Sequence, residues 1–95
     1  MHVGILRLEL LIHDVSSLKE KRRVVRSLIE RLRGRFKLAV AEVDHQDRHG
    51  AAAIGVAVVG NDPRVLEALL HRVVDAAATE GDAELTTHEM EILRP

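Results

Sequence analysis

The chain predicts an α+β sandwich in which four strands and two helices follow one another in the order βαββαβ. Three observations predict it. Residues 18–33 and 63–79 carry apolar side chains at helical spacing. Residues 2–13 and 51–60 are apolar on both faces of an extended chain, as centrally placed strands are. A polar loop, DHQDRHG at 44–50, divides the chain into two similar halves of about 45 residues. Right-handed crossovers then place the first and third strands in the middle. The result is an antiparallel sheet ordered 4-1-3-2 with both helices on one face. This is the ferredoxin-like sandwich, and it takes up residues 1–95 as a single domain.

Each element has its own signature. In the first strand, 2–13, Leu6, Leu8, Leu10 and Ile12 share one face with Gly4. Ile5, Arg7, Glu9 and Leu11 share the other. The first helix opens on a capping box, with Ser17 accepting from the Glu20 amide and Glu20 reaching back to the Ser17 amide. At 100° per residue, Leu18, Val24, Val25, Leu28, Ile29 and Leu32 fall in one arc. Gly34 is placed to end the helix as a left-handed residue. A second strand follows at 36–43, where Phe36, Leu38 and Val40 alternate with Lys37, Ala39 and Ala41. Glu42 breaks the alternation and predicts a bulge. The third strand, 51–60, sets Ile54, Val56 and Val58 against Ala53, Gly55 and Ala57. Asp62 and Pro63 start the second helix, which buries Leu66, Leu69, Leu70, Val73, Val74 and Ala77 and is terminated by Gly81. The fourth strand, about 83–93, carries Leu85 out of phase with Met90 and Ile92, which predicts a second irregularity. Its Glu84, His88, Glu89 and Glu91 suit an exposed edge.

Composition excludes several classes. A hydrophobic fraction of 46% argues against disorder. With no cysteine there is no disulfide framework, no thiol chemistry and no metallochaperone Cys-x-x-Cys pair. The opening MHVGILRLELLIHD has no charged n-region and carries Arg7, Glu9 and Asp14, so neither a signal peptide nor a membrane span is expected and the cytoplasm is the default. The net charge of −1 by itself predicts no polyanion binding, but its distribution suggests a charged partner for one face. Residues 19–37 hold nine basic and two acidic groups, a sum of +7; the other residues hold five and thirteen, a sum of −8.

That basic run is the first functional candidate. Lys19, Arg22, Arg26 and Arg33 recur at near-helical spacing, broadened by Lys21, Arg23 and Arg35. Guanidinium forks suit phosphate oxygens, so a nucleic-acid-binding stripe is one reading. A solvated face, or one paired with carboxylates of the chain or of another subunit, is the other. The second candidate is the hairpin, whose Asp44, His45, Asp47 and His49 match no standard metal-ligand spacing. No Gly-rich phosphate loop and no nucleophile–His–Asp set occurs. Enzymatic activity, a cofactor, a metal and a small-molecule substrate are therefore not expected. The uncovered sheet face should present Ile5, Arg7, Glu9, Ala39, Ala53, Gly55 and Ala57, flat enough for a second sheet to approach. With Phe36 the one aromatic residue, base stacking on that face is excluded.

Two segments, SLKEKRRVVRSL at 17–28 and VAEVDHQD at 40–47, together with GVAVV at 55–59, resemble the YlxP-like family of small bacterial proteins of unknown function. The likeness covers nearly the whole chain. It implies a ferredoxin-like fold and no established enzymatic activity. By the gene neighbourhoods of that family it also implies a role near translation and ribosome maturation. The family pattern includes Ser17 to Arg22 in the helix and Ala41 to Asp47 in the hairpin. Ser17 and Glu20 are accounted for as a cap. Glu42, Asp44, His45 and Gln46 have no packing role in the sequence reading, which marks them as a possible functional loop. The expectation is a non-enzymatic, cytoplasmic RNA- or ribosome-associated protein using Lys19, Lys21, Arg22, Arg23, Arg26 and Arg33. The alternative is an interaction module that homo-oligomerises through its sheet face and docks an acidic protein.

Overall fold

The structure, a computed structural model, describes residues 1–95. Its elements are β1 (His2–Leu11), α1 (Leu18–Phe36), β2 (Ala39–Asp44), β3 (Ala51–Gly60), α2 (Pro63–Thr79) and β4 (Glu84–Leu93). The four strands form one antiparallel sheet in the order β2-β3-β1-β4, the same order as 4-1-3-2 read from the other edge. The fold is therefore the ferredoxin-like sandwich that the strand pattern predicts. No helix is long and apolar enough to cross a membrane.

The core lies between the sheet and the helices. Leu6, Leu8, Leu10 and Ile12 come from the β1 side, Ala52, Ile54 and Val56 from β3, and Leu38 and Val40 from the β2 side. Val25, Leu28 and Leu32 of α1 and Leu70, Val73, Ala76 and Ala77 of α2 close it from above. Burying each leucine contributes roughly 2 kcal/mol. Both expected irregularities are present. β2 slips against β3 between Glu42 and Asp44, and β4 slips against β1 opposite Glu9 and Leu10.

Helix ends differ from the sequence reading. α1 runs through Gly34 to Phe36, and Lys37 takes the left-handed conformation with φ 54°, its amide donating to the Arg33 carbonyl. Phe36 stands four residues after Leu32 and so continues the apolar stripe by one turn, half-buried against the core. Gly34 has no positive φ and a Cβ there would meet nothing within 4 Å, so neither conformation nor packing requires a glycine at that position. β2 consequently starts at Ala39 rather than at 36. The capping box also moves by one position. Ser17 Oγ accepts from the Glu20 amide at 3.2 Å, but the Glu20 carboxylate accepts from Ser16, which offers both its amide and its hydroxyl. α2 begins as expected, with the Asp62 side chain accepting from Arg64 N at 2.9 Å and Pro63 at the first turn. Its end is capped by Glu80 at φ −107°, without a left-handed glycine at 81.

Gly4 is required where it stands. It lies on the helix-facing side of β1, and a Cβ there would come within 2.9 Å of Leu70 Cδ1 and 3.2 Å of Val58 Cγ1. Leu70 is fully buried and has no space to withdraw into. Gly4→Val should therefore destabilise the fold by about 2 kcal/mol through overpacking. Chemical denaturation should show this as a lower midpoint with an unchanged slope.

Candidate functional site

The helical period divides α1 into a buried and an exposed side. Positions 21, 25, 28 and 32 are buried, and the first of them is a lysine. Lys21 is 0% exposed. Its Nζ donates to Glu42 Oε2 at 2.6 Å and to the His45 carbonyl at 2.9 Å. The two segments that carry the family resemblance thus meet in space, through an ammonium group beneath the hairpin. Lys21 is not part of the exposed basic surface that the charge run suggested. Its place four residues before Val25 and seven before Leu28 is the periodic signal that marks it as interior.

The hairpin residues lock onto the same point. His45 has φ 63°, a conformation that costs a non-glycine residue of the order of 1 kcal/mol. It is held from three sides. Lys21 takes its carbonyl, its amide donates to Asp44 Oδ1 at 2.8 Å, and its ring Nε2 lies 3.1 Å from Glu9 Oε2. Arg7 completes the network, with Nε donating to Glu9 Oε1 at 2.8 Å and Nη2 to Asp44 Oδ2 at 3.0 Å. Ala53, the register partner of both Glu9 and Asp44, is 0% exposed beneath these side chains. It lies on the open face, as the alternation suggested, but these side chains cover it. Glu42, Asp44 and His45 therefore have structural partners that sequence spacing did not reveal. Gln46 is exposed at the hairpin tip and forms no side-chain hydrogen bond.

These contacts move the carboxylates. The Arg7 guanidinium, then the His45 ring, hold Glu9 below the ordinary range despite some desolvation. The His45 amide, then Arg7, do the same for Asp44. Arg7 is raised in turn by Glu9 and Asp44.

The exposed side of α1 is different. Lys19, Arg22, Arg23 and Arg26 line one surface depression with no apolar residue in it. None of the four has a carboxylate within 4.0 Å, whereas Arg7, Lys21 and Arg35 are each paired. Arg33 leaves the group. Its Nη2 donates to the Val40 carbonyl at 2.7 Å, wrapping it over the free edge of β2. Of the six cations expected on one nucleic-acid face, four converge. No group of three or more His, Cys, Asp or Glu side chains is arranged to hold a metal ion.

The family model for a protein of unknown function, DUF503, matches residues 3–90. The uncharacterised protein YlxP of Bacillus subtilis (strain 168) is 32% identical over 72 residues, covering 76% of this chain and 78% of that protein. Among solved structures, SnoaB, a cofactor-independent oxygenase from Streptomyces nogalater, superposes with a TM-score of 0.45 at 14% identity, covering 99% of this chain and 92% of that one. The de novo designed protein Ferredog-Diesel gives 0.46 at 9% identity over 97% and 84%. At these scores the assignment of the fold rests on the strand order and pairing of the chain itself.

Two outcomes follow from the network. Lys21→Met leaves the Glu42 carboxylate and the His45 carbonyl without their donor. It should cost about 3 kcal/mol, while Arg22→Ala one position on should stay within about 0.5 kcal/mol; thermal melts of the pair measure the contrast. The second is a pH dependence. Glu9 and Asp44 have lowered folded values, so their contribution is complete above about pH 5. It is lost as the pH falls through those folded values, where protonation removes the charge Arg7 holds. In Arg7→Met the share that Arg7 supplies is absent at every pH, while the His45 amide still acts on Asp44 and its ring on Glu9. The stability gap between the two proteins should therefore be widest at neutral pH and close on acidification, as read by denaturant titrations at stepped pH.

Proposed function

The chain belongs to the DUF503 family of proteins of unknown function, and from that premise we propose that it is a non-enzymatic protein that binds structured RNA through the exposed face of α1. One observation carries the reading. Lys19, Arg22, Arg23 and Arg26 form a row of four cations with no intramolecular partner. Folding does not need them there. They occupy i, i+3, i+4 and i+7, so they share one face along about 10 Å of helix. Arg forks take phosphate oxygens two at a time, and three of the four are arginine. The row is also on a fixed base, because the Ser17 cap and the Lys21 anchor hold the same helix from its other side.

The contact is to the sugar–phosphate backbone rather than to bases. The open sheet face has no aromatic side chain on which a base could stack, and Phe36 is packed against the core behind α1. Such binding recognises the shape and phosphate spacing of a folded RNA and carries little sequence preference. It also fits the gene neighbourhoods that the family resemblance implies, near translation.

Four neutralised phosphates set the scale of the salt dependence. The logarithm of the association constant should fall with the logarithm of salt concentration at a slope of about −3. Each of Arg22→Ala and Arg26→Ala should lower that slope by about 1 without sequence selectivity. Arg22→Glu combined with Arg26→Glu should abolish binding while leaving the melting temperature in place. Anisotropy titrations of a labelled RNA hairpin over a salt series read all three. Binding that is indifferent to salt, or that survives the double reversal, would rule the reading out. Capture of an acidic protein in place of RNA would reassign the same four cations to a protein surface.

A further inference from the structure

The second unaccounted surface is the face of the sheet that no helix covers, and it does not depend on the RNA reading. Seven large apolar side chains are exposed in the whole molecule. Five of them, Ile5, Leu11, Val43, Val59 and Leu93, stand on this one face; Met1 precedes β1 and Val65 is on α2. Between them the surface is nearly flat, because Ala39, Ala41, Gly55 and Ala57 put little above the backbone. Gly55 is held to that size by its neighbour, since a Cβ there would come within 2.8 Å of Val43 Cγ1. The bulge at Val43 is what lays that side chain across the strand.

The rims of this hollow carry opposite charges. On one side is β4, with Glu89 and Glu91 on the open face as register partners of Arg7 and Ile5. Neither glutamate has a cation within 4.0 Å, because Arg7 is taken by Glu9 and Asp44. On the other side is Arg33, reaching from α1 around the β2 edge to the Val40 carbonyl. It has no carboxylate partner. The lines of residues Ile5–Ala57–Ala39 and Arg7–Gly55–Ala41 run straight across the sheet. Glu91 and Glu89 therefore lie at the same heights along the strands as Ala39 and Ala41, which flank Val40.

We infer that this face is covered by a second copy of the chain, related by a two-fold axis that runs parallel to the strands between the two sheets. That operation preserves height along the strand and exchanges the two edges. It lays β4 of one copy over β2 of the other and brings Glu89 and Glu91 to the Arg33 of the partner, twice per pair. An axis perpendicular to the strands would instead set β4 against β4 and oppose like charges. The occupant that the charges fit is thus this same chain in one orientation. The size is sufficient. Four strands at about 4.8 Å and eight residues at about 3.4 Å give roughly 500 Å² of face per copy, or about 1,000 Å² for the pair. That is the lower limit for a specific interface. Alanine and glycine at the centre let the sheets approach to about 10 Å with the aliphatic side chains interdigitated. The Arg7–Glu9–Asp44–His45 network has its charges already paired, so covering it leaves few groups unsatisfied.

Analytical ultracentrifugation at about 50 µM, a concentration suited to a micromolar dimer, tests this, with circular dichroism to confirm that each variant is folded. The wild-type chain should sediment as a dimer. Arg33→Glu alone, and Glu89→Arg with Glu91→Arg, should each weaken the dimer by at least about tenfold. The three changes together should restore it, because the rims are then exchanged. Ala57→Arg at the centre should give a monomer. A monomeric wild-type protein, a dimer unaffected by the single-rim reversals, or a triple variant that does not recover would each overturn the proposal.

Discussion

The ammonium group of Lys21 is the point at which α1 is tied to the hairpin that joins the two halves of this sandwich. A buried cation is expensive, and it persists because two oxygen acceptors from the hairpin meet it at 2.6 and 2.9 Å. One acceptor is the Glu42 carboxylate at the bulge in β2. The other is the carbonyl of His45, the residue that turns the chain out of β2. α1 and β2 belong to the first half of the chain and the hairpin joins the two halves, so this one group fixes the helix to the exit of β2 and the start of the hairpin. The bulge, the left-handed His45 and the lysine on the core stripe are separate irregularities by local rules. Together they are mutually consistent, since each supplies what another lacks.

The same constraint explains why the loop resembled a functional site in the sequence. Asp44 and His45 are chemistry-bearing residues in a polar turn, and local rules give them nothing to do. In three dimensions Arg7 and Glu9, 36 or 37 residues earlier, reach them across the sheet. Charged side chains on the open face of β1 can only be read as a network once the register of β1, β3 and β2 is known. The interior lysine was hidden by a different bias. Its charge placed it with the surface arginines, although its spacing from Val25, Leu28 and Leu32 placed it with the core.

Strand order, helix limits to within a few residues, both bulges and most of the core were legible, because they follow from period and from handedness. Helix ends were less so. Gly34 has the residue type of a terminator, but the apolar stripe continues to Phe36, and burial of that ring outweighs the preference of glycine for a left-handed end. Lys37 then accepts the strained conformation instead. The basic surface was legible as composition and not as geometry. Of its candidates Lys21 turned inward and Arg33 turned to the edge of β2, and only the structure separates those two from the four that remain free.

That separation gives the charge asymmetry of the chain a spatial form. The free cations of α1 lie on the helical side of the sandwich, while Arg33, Glu89 and Glu91 border the opposite face. The two surfaces do not compete for the same residues, so association through the sheet would leave the α1 rows open. In a two-fold pair the sheets are innermost and the helices outermost, and the two rows point away from each other across two helical layers and two sheets. With sheet spacing of about 10 Å and helices about 10 Å in diameter, that separation is of the order of 30 Å. Two rows so disposed cannot clamp one short duplex between them. On the proposed reading they would hold two segments of a larger folded RNA, and the second contact would then gain from the effective concentration set by the first. A surface of four cations that binds weakly alone would in that arrangement select for RNA large enough to reach both sides.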